Sequence, residues 1–193
     1  MAIDKYLGNV KQFLEHIEQT QLANLEAAAK MVTECITNGG TVFVLGTGHA
    51  GIMAQETFFR AGGMMLFNPV VGPGLSLDVR PVDISTQIER LPEYGNIVMQ
   101  STPIKRGDVL IVASTAGRNS VPIDAALWSA QNGIKTIGIT SRTWANSVES
   151  RHPSGKRLHD VVDLVLDDGV IPGDASVDFP EMSLKVGPIS TIS

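Results

Sequence analysis

The chain is nearly devoid of cysteine: Cys35 is the only one in 193 residues. No disulfide can form within it, which fits a reducing compartment. Cys35 falls in an apolar helical pattern, so a buried structural thiol is expected rather than a nucleophile. Basic runs are also missing, and the net charge is −5. A broad nucleic-acid-binding surface would need clustered Lys and Arg, so none is expected. No apolar run is long enough to span a bilayer. The N-terminal Asp4 and Lys5 lead into an amphipathic pattern, not the apolar centre of a signal peptide. A cytoplasmic protein without a membrane partner is the expectation. Internal repeats, low-complexity tracts and linkers are absent too, so one domain over 1–193 is expected.

What is present is a globular balance, 43% apolar and 18% charged, with room for a real core. Residues 4–37 carry helical spacing: Tyr6, Val10, Phe13 and Ile17, then Leu22, Leu25, Ala29, Val32 and Ile36. The phase breaks between Ile17 and Leu22, leaving a bend or two helices open. Gly39 and Gly40 end the segment. Its length gives it room to pack on a neighbouring subunit as well as on its own sheet.

Five short apolar runs follow, at 41–46, 65–71, 108–114, 134–140 and 161–166. They do not alternate, so they predict strands buried on both faces of a parallel sheet. Helical segments are predicted at 49–61, at 85–101 and at 121–132. The second is entered by the capping-box pattern Thr86-x-x-Glu89 and interrupted at Pro92; the third has Pro122 in its first turn and Gly133 after its end. Residues 72–84 and 141–160 read as loops. The class is α/β: a three-layer, doubly wound, five-stranded parallel sheet of flavodoxin-like order with a long N-terminal helical segment. The chain ends in "KVGPISTIS", where Ser190, Thr191 and Ser193 are N-cap residue types with no helix after them. A missing C-terminal helix is the expectation, with a disordered tail as the alternative.

Ligands of open α/β sheets bind beyond the carboxyl ends of the strands, where strand order reverses. Two small, polar loops fall there: "GTGHAG" (46–51) and "STAGRNS" (114–120). Both lead into predicted helix N-termini, which suit an anion such as phosphate. Gly46, Gly48 and Gly51 also spell the dinucleotide signature G-x-G-x-x-G. That signature asks for an acid at the end of the second strand, and "MLFNPVVGPG" (65–74) has none. A nucleotide-dependent oxidoreductase therefore ranks last. The candidate binding residues are Gly46, Thr47, Gly48, His49, Ser114, Thr115, Gly117, Arg118, Asn119 and Ser120.

Glu56 and His49 are the candidate catalytic pair. Seven residues apart, they share a helix face if the helix begins near His49. Glu56 has two readings. Beside Ile52 and Met53 its pKa could rise and make it a general base; alternatively it forms a surface pair with Arg60. The four histidines, His16, His49, His152 and His159, form no metal motif, and no metal or other cofactor is assigned from them. His16 reads as a polar-face helix residue. The basic segment "SRHPSGKRLHD" (150–160) reads as a solvated loop or as a reach into a neighbouring subunit's site.

Strand–"GTGHA"–helix followed by strand–"STAGRN"–helix resembles the SIS (sugar isomerase) domain superfamily. "GHAGIMAQETFFRAGG", "GDVLIVASTAGRNSVPI", "SRHPSGKRL" and "VGPISTIS" resemble a bacterial SIS-domain family related to phosphoheptose isomerases. The resemblance spans the whole chain. It implies a phosphosugar in the crevice, held by loop Ser and Thr, and a homodimer or homotetramer. The implied activity is aldose–ketose isomerisation; a non-catalytic phosphosugar-sensing module is the alternative. Ala50, Ala116 and Asn119 stand where hydroxyls are usual, and Glu56 falls at a site position of different residue type. Phosphoheptose isomerases carry zinc-binding residues, so the resemblance leaves zinc open.

Overall fold

A computed structural model describes residues 2–193 except Pro180, Met182, Thr191 and Ser193. The expected N-cap residues Thr191 and Ser193 thus lie outside the described residues. In chain order the elements are α1 (Ala2–Thr37), β1 (Val42–Gly46), α2 (Gly51–Thr57), β2 (Phe67–Val70), α3 (Asp83–Ile88), α4 (Tyr94–Gln100), β3 (Val109–Ala113), α5 (Ser120–Gln131), β4 (Lys135–Thr140), α6 (Arg142–Ser147) and β5 (Leu164–Asp167). Single 3-10 turns occupy Gly48–Ala50 and Leu158–Asp160. The five strands are all parallel, in the order β2-β1-β3-β4-β5. This is the expected doubly wound sheet, and strand order reverses between β1 and β3.

The apolar runs produce this sheet because alternate side chains enter different layers. Val42, Val109 and Ile137 face the α1 side, against Ala28 and Cys35. Phe43, Leu45, Leu110 and Val112 face the other, against Val98, Met99, Val121 and Ala125. Each face is covered by helix, so no polar alternation is needed. Burying one such Leu or Val contributes about 1.5–3 kcal/mol.

The first helix runs unbroken through the phase shift at Ile17–Leu22. Its buried contacts follow Gln21, Ala28 and Cys35, seven residues apart. It stops in a Schellman motif: Gly39, at φ 78°, donates to the Ile36 carbonyl and Gly40 donates to that of Cys35. The Cys35 thiol is buried, and burial first, then Asp108, push its pKa up. This is the environment of an inert thiol.

Three expectations need correction. The helix at 49–61 is shorter, because the chain becomes extended at Phe58 and takes positive φ at Phe59. The interruption expected at Pro92 is present and separates α3 from α4. The capping box does not form: the residue preceding α3 is Val82, with no side-chain cap. Residues 141–160 hold α6, capped by Ser141, whose hydroxyl accepts from the Trp144 N–H at 3.0 Å. No helix among the described residues is long and apolar enough to cross a membrane.

Candidate functional site

A cleft opens beyond the carboxyl ends of β1, β3, β4 and β5. Its inner cavity, ≈ 200 Å³, has His49, Glu56, Ser114, Thr115, Asp168 and Ser190 in its walls. An outer cavity of ≈ 550 Å³ shares His49, Ser114, Thr115 and Ser190 and adds Thr47, Glu89 and Asn119. Both loops singled out in the sequence therefore meet at one place.

The first loop is shaped by close backbone packing. A Cβ on Gly46 would strike the Ala50 carbonyl, so the turn from β1 demands glycine there. Gly48 has φ 56°, and its N–H donates to the Leu75 carbonyl at 2.8 Å. The Thr47 hydroxyl donates to Glu89 Oε2 at 2.7 Å. Glu89 therefore braces the loop from α3's end instead of capping that helix, which explains why the capping-box reading failed. His49 stands exposed at the mouth of the cleft.

The second loop bends at Gly117, φ 56°, whose N–H donates to the Ser114 carbonyl at 2.9 Å. A Cβ there would meet Thr140 Oγ1 at 2.7 Å. Ser114, Thr115 and Asn119 line the cleft; Gly117, Arg118 and Ser120 are not among its wall residues. Ser120 is fully buried, and its hydroxyl donates to the Arg151 carbonyl at 3.4 Å. Arg118 has a buried Nε without a hydrogen-bond partner, and its carbonyl accepts from the Arg151 N–H. Arg151 Nη1 donates to Asn119 Oδ1 at 2.9 Å. Burial first, and then Arg118 and Arg90, pull the Arg151 pKa below its usual range. The basic segment 150–160 thus folds onto its own second loop. His152 anchors it: Nε2 lies 2.9 Å from Asp124 Oδ1, with the two side chains 10% and 3% exposed. Burial raises the Asp124 pKa, which the histidine partly offsets.

Glu56 lines the inner cavity together with His49. Its environment is not the apolar, buried one that suits a general base. The side chain is 63% exposed and pairs with Arg60.

The group that does sit in such an environment is Asp168. It is 5% exposed, follows β5 directly and reaches the inner cavity. Burial pushes its pKa up to about 7, reinforced by Asp167 and Asp174 and partly offset by hydrogen bonds from the Val170 N–H and the Thr115 hydroxyl. The apolar run 161–166 ends at Leu166 and leaves Asp168 outside the predicted strand. The usable signal was the acid pair Asp167–Asp168 at the carboxyl end of a strand. Among the described residues no group of three or more His, Cys, Asp or Glu side chains is arranged to hold a metal ion.

A family model for the SIS domain matches residues 5–141. The chain belongs to the SIS domain family. A UPF0309 protein of Shouchella clausii is 42% identical over 190 residues, covering 98% of this chain and 77% of that relative. Another from Oceanobacillus iheyensis is 41% identical, covering 97% and 76%. Among solved structures, phosphoheptose isomerase from Neisseria gonorrhoeae superposes with TM-score 0.63 at 17% identity, covering 86% of this SIS-domain chain and 83% of that one. The sugar isomerase domain of an RpiR transcription factor from Sphaerobacter thermophilus gives 0.53 at 18% identity, covering 99% and 83%. At these identities the superpositions establish the SIS-type fold.

Proposed function

We propose that this SIS domain binds a phosphosugar in the cleft between its two loops and interconverts its aldose and ketose forms. The observation that carries this reading is the meeting of 46–51 and 114–120 in one cleft at the strand-order reversal. The sheet's connections leave in opposite directions there, which opens the crevice. Ser114, Thr115 and Asn119, with the neighbouring Arg118 and Arg151, make the second loop the hydrogen-bonding and positive side, suited to phosphate. The inner cavity then receives the sugar carbons, with His49 polarising the carbonyl oxygen. Glu56 and Asp168 are acceptors for sugar hydroxyls or for a carbon-bound proton. The dinucleotide reading loses further support, since the tip of β2 carries no acid for a ribose.

A binding-only role is the second reading. The Thr47 hydroxyl is committed to Glu89, and Ala50 and Ala116 bring no hydroxyl. Turnover on ribulose 5-phosphate, fructose 6-phosphate and sedoheptulose 7-phosphate decides between them. Interconversion supports the isomerase; saturable binding without turnover supports the sensor; neither contradicts both.

We also propose a homo-oligomer built through α1. That helix leaves Leu7, Leu14, Leu22 and Leu25 exposed beside its buried face, an apolar stripe without a partner in the single chain.

A further inference from the structure

Resting on the isomerase reading, we propose that Asp168 is the group that carries the proton between the two reacting carbons, and that Glu56 is not. The argument begins with how the chain treats its buried carboxylates. Asp108, 1% exposed, accepts from the Thr41 and Lys105 N–H groups and pairs with the Lys105 ammonium. Asp124, 2% exposed, has His152. Each is compensated at a place remote from the cleft walls described above. Asp168 is buried too, at 5% exposed, yet among the described residues it forms no ion pair with a cation. It accepts from the Val170 N–H at 3.1 Å and from the Thr115 hydroxyl. Leaving a buried carboxylate without a cation is costly. The fold accepts that cost at a cavity wall, where a ligand completes the environment.

Position adds a second constraint. Asp168 lies beyond β5, while Thr115 and Ser114 follow β3 and His49 follows β1. A sugar whose phosphate sits at the second loop extends its carbons past Thr115 into the inner cavity, between Asp168 and His49. Glu56 lines that cavity too, but its carboxylate is held by Arg60 at the exposed end. That arrangement suits acceptance of a sugar hydroxyl. The charged or titratable groups around Asp168 are Asp167 and Asp174 on its own segment and His49 and Glu56 across the cavity. Burial first, and then the two aspartates, favour its protonated form. A carboxyl poised near neutrality can both take and return a proton.

The step balances without an external oxidant or reductant. The Asp168 carboxylate removes the proton from the carbon adjacent to the carbonyl. The C–H electron pair becomes the C=C bond of an enediolate, and the carbonyl oxygen takes the negative charge, which His49 stabilises. Asp168, now protonated, returns the proton to the neighbouring carbon. The hydroxyl proton passes from one oxygen to the other, and the new carbonyl forms.

The test is proton NMR of ribulose 5-phosphate, fructose 6-phosphate and sedoheptulose 7-phosphate in deuterium oxide, with wild type and Asp168→Asn. Wild type should exchange the carbon-bound proton of at least one substrate. Asp168→Asn should lower both exchange and kcat/KM by about 10²–10⁴-fold while still binding the same substrate in calorimetry. Asparagine keeps an oxygen for the Val170 N–H, and circular dichroism reports whether the variant folds. The wild-type kcat/KM profile should show an ionisation near pH 7. That profile needs no variant, and its absence with the active substrate overturns the proposal. Undiminished exchange by Asp168→Asn overturns it while leaving the isomerase reading intact. No exchange by wild type on any of the three overturns both.

Discussion

Replacing Asp168 by asparagine should stabilise this protein above neutral pH, and by an amount that depends on pH. Burial holds the Asp168 carboxyl at about 7 in the folded chain, against 3.8 for an ordinary aspartate. Between those values the folded state binds a proton that the unfolded state has released. Stability therefore falls as pH rises through that window and levels off above it. A separation of about three pH units corresponds to about 4 kcal/mol. Asp168→Asn carries no charge at any pH. It should match the wild type near pH 4, gain on it progressively to pH 7, and stay a few kcal/mol ahead at about pH 8. Urea unfolding followed by circular dichroism at about pH 4, 6 and 8 measures the difference. A gap that does not change with pH, or a variant less stable than wild type at pH 8, would refute the reasoning. Such a gain in stability, paired with a loss of turnover, is the signature of a residue kept for its chemistry.

Other perturbations test separate parts of the account. Gly46→Ala drives a Cβ into the Ala50 carbonyl, so sugar-phosphate affinity should fall at least tenfold in calorimetry, with lower thermal stability. His152→Ala leaves Asp124 buried without its partner; at neutral pH it should lose about 3 kcal/mol, less in acid where Asp124 is protonated, as a Tm series would show. Arg60→Ala breaks a pair in which both side chains are more than half exposed, so stability should change by less than about 1 kcal/mol. Leu14→Glu places a charge on the exposed stripe of α1, and light scattering should show the oligomer dissociating; a wild-type monomer would contradict the proposed assembly.

Much of the fold was legible because its signals are local. Apolar runs without alternation specify strands covered on both faces, and Gly39–Gly40 and Gly133 mark helix ends. The dinucleotide signature was legible but ambiguous, since Gly46 and Gly48 serve turn geometry here whatever the ligand. The less legible parts depend on the partner that a side chain finds in space. Thr86-x-x-Glu89 has capping-box spacing, yet Glu89 reaches Thr47, 42 residues away. Glu56 can meet Arg60 one turn on or face a cavity, and spacing alone does not choose. Asp168 looks like a solvated acid at a strand end, because only the assembled sheet buries it. His152 reads as one residue of a basic loop until α5 supplies Asp124.

The most direct measurement for the central claim is calorimetric titration of the wild-type protein with fructose 6-phosphate, ribulose 5-phosphate and sedoheptulose 7-phosphate, alongside their unphosphorylated sugars and NAD. The account predicts saturable binding of at least one phosphosugar, at least tenfold weaker binding of the matching free sugar, and no binding of NAD. Phosphosugars that fail to bind, or NAD binding in their place, would contradict it.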